Sequence, residues 1–146
     1  MTTQPRAVVV EDDRYRANAY IAVLGGEGYE VVAVLASLDE IRQNEELFRE
    51  LGLGDIILLD RRFPGASSPP PEAGDEAFAL FQKWTVQAAI LRWSAEHVEE
   101  GWVKKPNNFA DIRRLVAKTT TQHADSSRGR VGVHVYSFVY TSSLLP

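Results

Sequence analysis

Short apolar runs alternate along this chain with longer stretches whose apolar residues recur at helical spacing. Ala7–Val10 is a β-branched run that stops abruptly at Glu11, Asp12 and Asp13, as a buried parallel strand does when its carboxyl end delivers polar groups to an edge. Arg14–Leu24 follows with Ala17, Tyr20, Ile21 and Leu24 on one helical face, and Gly25, Gly26 and Gly28 close it. Tyr29–Leu35 reads as a second strand. Ser37 and Glu40 form a capping-box pattern ahead of a helix carrying Ile41, Leu47, Phe48 and Leu51. Ile56–Leu59, four bulky aliphatics, ends on Asp60.

Residues 65–74, with Pro69, Pro70 and Pro71 in a row, predict an extended loop. Asp75–Trp84 reads as a helix burying Phe78, Ala79 and Phe81 or Trp84, and Ala88–Trp93 as a fourth strand ending at Ser94. Gly101–Lys104 is a short fifth strand before Lys105 and Pro106, and Asn108 caps a helix through Lys118. Residues 119–129 read as a polar, mobile linker, and Val131–Tyr140 alternates like a strand. Strands alternating with helices imply an α/β fold, a parallel sheet covered on both faces. In such sheets function collects at the carboxyl ends of the strands, which here carry Glu11, Asp12, Asp13, Asp60, Ser94 and Lys105.

Composition narrows the picture. The 146 residues suit one domain, and 45% hydrophobic content is enough for its core. A net charge of −4 argues against nucleic acid as a partner, and the absence of cysteine removes thiolate metal sites. His97, His123 and His134 share no ligand-like spacing. No apolar run has the length of a signal peptide or a membrane span, so a cytoplasmic location and no membrane partner are expected.

Carboxylates forced together repel, and a divalent cation relieves the repulsion. Mg2+ prefers oxygen ligands and takes one or two carboxylates plus a phosphate. Asp60 then serves as a nucleophile toward a phosphoryl group, with Lys105 neutralising charge and Ser94 donating to a phosphoryl oxygen. The same acids also suit the N-terminus of the first helix, and Lys105 beside Lys104 also reads as a solvated pair. Arg61 and Arg62, so close to Asp60, read either as solvated or as a positive charge that alters phosphate lifetime.

These residues resemble the receiver domain of bacterial two-component response regulators. Val8–Asp13 is similar to its first strand and acidic pocket, and Leu58–Gly65 to its acceptor strand and following loop. Trp93, Ser94 and Ala95 look like its hydroxyl position, and Trp102–Pro106 like its fifth strand with lysine and proline. The resemblance covers residues 6–118. It implies a doubly wound five-stranded sheet in the flavodoxin-like order 2-1-3-4-5, with residues 1–118 as the receiver-like domain and 119–146 as linker and C-terminal extra strand. It also implies that a histidine kinase or phosphotransfer protein phosphorylates Asp60, and that the chain is not otherwise an enzyme. Asp12 and Asp60 would bind Mg2+ directly, Glu11 through water, and Arg62 by its backbone carbonyl. Trp102 takes the place of the aromatic switch.

Two departures from the family stand out. The proline-rich loop is enlarged, and only Ala95–Glu100 separates the fourth and fifth strands where the family has a helix. A helical crossover needs about 10–12 residues. The short link permits an antiparallel hairpin, which would carry Lys105 to the far end of the sheet. It also leaves apolar surface and a sheet edge for the tail to cover, in its own chain or swapped into a homodimer. With the usual output helix missing, a receiver-like interaction module that never takes phosphate is the alternative. A metal-dependent phosphatase lacks an evident acid–base partner.

Overall fold

The structure, a computed structural model, describes residues 4–61, 73–94, 102–106 and 108–129. Five strands form one sheet: β1 (Arg6–Val10), β2 (Glu30–Leu35), β3 (Ile56–Asp60), β4 (Ala89–Ser94) and β5 (Val103–Lys104). Their order is β2-β1-β3-β4-β5 and every pairing is parallel, the doubly wound arrangement expected. The central strands β3 and β4 are buried at every position, as their unbroken apolar runs required. In β2 a one-residue register shift between its pairs with Ala7 and Val8 places Val31 toward one core and Ala33 and Leu35 toward the other.

Five helices cover the sheet: α1 (Arg14–Gly26), α2 (Leu38–Gln43), α3 (Glu45–Glu50), α4 (Ala73–Lys83) and α5 (Phe109–Gly129). One core joins Val8, Ile57 and Ile90 to Ile41, Phe48 and Phe81 of α2, α3 and α4. The other joins Val9, Leu58 and Leu91 to Tyr20 and Leu24 of α1 and to Leu115 of α5. Each β1, β3 and β4 run thus feeds both layers by simple alternation.

Several boundaries differ from the sequence reading for local reasons. The helix expected after Ser37 is two, broken at Asn44, whose Nδ2 donates to the Glu40 carbonyl at 2.7 Å; asparagine competes in this way with the helical ladder. Ser37 Oγ accepts the Glu40 N–H, and the Glu40 carboxylate reaches back to the Ala36 N–H. Helix α4 begins at Ala73, inside the stretch expected to be loop, and turns Ala77 rather than Ala79 into the core. Helix α5 runs on past Lys118 through the polar stretch expected as linker. Its inner face continues with Thr119 and His123, both buried, and His123 Nε2 donates to the Gln87 carbonyl at 2.6 Å.

The hairpin alternative is excluded, because β5 runs parallel to β4 with Val103 opposite Trp93 and Lys104 opposite Ser94. The register sets how far the connection has to reach. From Ser94 the chain must return by only one residue, roughly 3.3 Å along and 4.8 Å across. Residues 95–101 themselves lie outside the described residues, as does the predicted strand Val131–Tyr140.

The first turn of α4 lies directly on the end of β3. Gly74 N–H donates to the Arg61 carbonyl at 2.9 Å, and a Cβ on Gly74 would stand 2.5 Å from Arg61 Cα and 2.7 Å from the Asp60 carbonyl oxygen. Both obstacles are backbone and cannot swing aside. Alanine normally stabilises a helix interior over glycine by about 0.8–1.0 kcal/mol, yet Gly74→Ala should lower stability by about 1–3 kcal/mol through overpacking. Urea denaturation measures this; an unchanged or raised midpoint would contradict the close approach.

Candidate functional site

The carboxyl edge of the sheet gathers the predicted residues. Glu11 follows β1, held in strand geometry by its N–H donating to the Leu35 carbonyl at 2.9 Å, and Asp60 ends β3. Both are buried, while Asp12 is exposed at the rim. Lys105 leaves β5 with its N–H on the Ser94 carbonyl at 2.7 Å. Its Nζ then lies 2.8 Å from Asp60 Oδ1 and 3.0 Å from Glu11 Oε1, so Lys105, rather than exposed Lys104, enters the site. Asp13 takes the capping role: its carboxylate accepts the N–H groups of Tyr15 and Arg16 at the start of α1. The Asp13 N–H in turn donates to Glu11 Oε2 at 3.1 Å.

Glu11, Asp12 and Asp60 offer oxygens that all lie within 4.8 Å of one another. Three carboxylates against the single Lys105 ammonium leave surplus negative charge in a hard, all-oxygen donor set, and that fits Mg2+. Burial, reinforced by the neighbouring Asp60 charge, pushes the Glu11 carboxyl up to about 7 even though Lys105 pulls it down. Arg62, the expected source of a backbone carbonyl, lies outside the described residues.

Ser94 is buried at the end of β4, one residue beyond the partner of Asp60 in the β3–β4 register. Trp102, expected at the switch position, is buried too, and it has cationic company. The guanidinium carbons of Arg61 and Arg92 each lie 5.1 Å from its ring centroid. Arg92 also sits 3.8 Å over Phe78 of α4, and Arg61 pairs with Asp75 of α4 at 3.3 Å. Desolvated contacts of this kind are worth about 2 kcal/mol or more. Arg61 is therefore a buried anchor between the end of β3 and α4, not a solvated charge. The sequence reading passed over Arg92; its signal was a lone charge inside an otherwise apolar strand, which must find an aromatic or acidic partner.

No protein-family model matches this sequence, and no curated protein matches it. Solved structures do share its fold. A CheY-like response regulator receiver domain protein from Methanospirillum hungatei JF-1 superposes with a TM-score of 0.64 at 16% identity, over 85% of this chain and 99% of that one. The signal receiver domain of a modulated diguanylate cyclase from Desulfovibrio desulfuricans G20 gives 0.62 at 21% identity, over 85% and 99%. The response regulator PhyR from Brucella abortus gives 0.66 at 17% identity, over 88% of this chain and 53% of that one. The fold of this chain is that of response-regulator receiver domains.

Glu11 generates a pH prediction. Its folded value of about 7 stands above the ordinary 4.5, so between those pH values the folded protein holds a proton that the unfolded chain has lost. Stability contributed here is full below pH 4.5 and falls as pH rises toward 7. In the metal-free protein this loss is about 3 kcal/mol. Thermal melts from pH 4.5 to 8 in EDTA should show a steeper decline for the parent than for Glu11→Gln. Equal slopes would place the proton elsewhere.

Proposed function

We propose that this chain, built on the receiver fold, accepts a phosphoryl group on Asp60 from a histidine kinase or phosphotransfer protein and signals through protein contacts. The observation that carries the reading is the Lys105 bridge, 2.8 Å to Asp60 and 3.0 Å to Glu11, at the carboxyl edge of a parallel sheet. A buried ammonium fixed beside a strand-end carboxylate is placed to neutralise charge arriving on that carboxylate.

An Asp60 oxygen attacks the phosphorus of a phosphohistidine in line. The P–N bond breaks, its electron pair leaves on the imidazole nitrogen, and an acyl phosphate remains on Asp60. Lys105 offers its ammonium to a phosphoryl oxygen, and the Ser94 hydroxyl donates to another. Glu11, Asp12 and Asp60, with the Arg62 carbonyl, would hold Mg2+, which when bound supplies further neutralisation of the phosphoryl oxygens. In this reading the chain is a signalling domain whose only catalysis is its own phosphotransfer and dephosphorylation. It works in the cytoplasm, and no helix among the described residues is long and apolar enough to cross a membrane.

One observation favours a second reading, an interaction module that signals without phosphate. Trp102, at the switch position, is held by two guanidiniums, which opposes the swing a phosphate-driven switch requires. The expected homodimer through Val131–Tyr140 lies outside the described residues.

Incubation with Mg2+ and acetyl phosphate, followed by intact-mass measurement, tests the assignment. The protein should gain one phosphoryl group, Asp60→Asn should gain none while melting normally, and Lys105→Ala should react about 10²-fold more slowly. A parent protein that takes no label, or an Asp60→Asn variant that takes it, would remove Asp60 as acceptor and favour the second reading.

A further inference from the structure

A second concavity opens beside Lys105. It is a cleft of about 410 Å³ between α1, the end of β5 and the start of α5, lined by Arg16, Tyr20, Lys104, Lys105, Phe109 and Ile112, with Ala19 and Pro106 completing the wall. Among the described residues its charge is of one sign: no carboxylate lines it. Lys105 is neutralised by Asp60 and Glu11, but Arg16 and Lys104 are exposed and have no carboxylate partner among the described residues. The rest of the wall is apolar or aromatic. Phe109 is 55% exposed at the mouth although it is one of the largest hydrophobic side chains in the chain, whereas Ile112 and Tyr20 are buried behind it. Burial pushes the Tyr20 phenol up, so it stays a neutral hydroxyl.

A concave, largely apolar wall with a few convergent polar groups is the usual form of a small-molecule site, and this volume falls within the usual range of about 300–1,000 Å³. An exposed aromatic flanked by unpaired cations suits a ligand with an apolar body and an anionic end. We infer that the α1–α5 cleft binds a small anionic ligand, a carboxylate or phosphate monoester carried on an aromatic or branched apolar body. The anion sits between Arg16 and Lys104, and the apolar body lies on Phe109, Pro106 and Ile112.

The inference goes beyond the phosphoacceptor reading, because binding needs neither Mg2+ nor phosphorylation.

The test uses the full chain in EDTA, with benzoate and phenyl phosphate as probes and benzyl alcohol as the uncharged control. Amide chemical shifts are followed by NMR. Both anions should give saturable shifts at Ala19, Tyr20, Phe109 and Ile112, and benzyl alcohol should bind about tenfold or more weakly. Arg16→Ala combined with Lys104→Ala should weaken both anions about tenfold or more without altering the melting temperature, since both side chains are exposed. Asp60→Asn should still bind, which separates this site from the phosphoacceptor reading. Shifts that never saturate, that ignore the double substitution, or that are confined to Glu11, Asp12 and Asp60 would overturn the inference.

Discussion

Two carboxylates, Glu11 and Asp60, are buried side by side at one edge of the sheet, and like charges in so dry a place cannot persist without a cation. Lys105 supplies it, and much of the architecture follows from the need to bring that ammonium to the same edge. The fifth strand must run parallel to the fourth, because an antiparallel return would leave Lys105 at the opposite end. Two residues of β5 suffice, since pairing at Trp93 and Ser94 already fixes the direction, and the Lys105 N–H on the Ser94 carbonyl sets where the side chain begins. Removing one member of a buried charge pair costs roughly 3–5 kcal/mol, so the fold depends on the Lys105 ammonium being there.

The two aspartates that bracket β3 show how environment separates a structural acid from a chemical one. Asp55, at the amino end, accepts the Arg6 N–H at 2.6 Å, the Gly52 N–H at 2.8 Å and the Arg6 guanidinium at 3.2 Å. It staples β1 to the turn before β3, and its lone pairs are consumed by the fold. Asp60, at the carboxyl end, shares the Lys105 ammonium with Glu11 and has the Asp12 carboxylate close by at the rim. That arrangement is electrostatically strained, and it is relieved by whatever positive charge enters.

Helix α4 is tied closely to the end of β3. Gly74 touches the Asp60–Arg61 backbone, Asp75 holds the Arg61 guanidinium, and Phe78, one turn on, carries Arg92. Arg61 and Arg92 then meet over Trp102. The end of β3, α4, β4 and the residue before β5 thus form a closed ring of contacts.

The sequence by itself determined the layer architecture. The apolar runs at Ala7–Val10, Ile56–Leu59 and Ala88–Trp93 admit no face turned to water, so they had to be central parallel strands with helices on both sides. The acids and the lysine were legible because each stands at the abrupt end of such a run. Only the tertiary structure decided between the parallel and hairpin placements of β5, for six intervening residues are long enough for either path. It also decided the roles of Arg61 and Arg92. Their charge reads as surface in one dimension, and their burial depends on Phe78, Trp102 and Asp75 arriving from other elements. The long α5 escaped the pattern for a similar reason: Thr119 and His123 carry no apolar signal, and His123 belongs inside only because the Gln87 carbonyl is there to accept its proton.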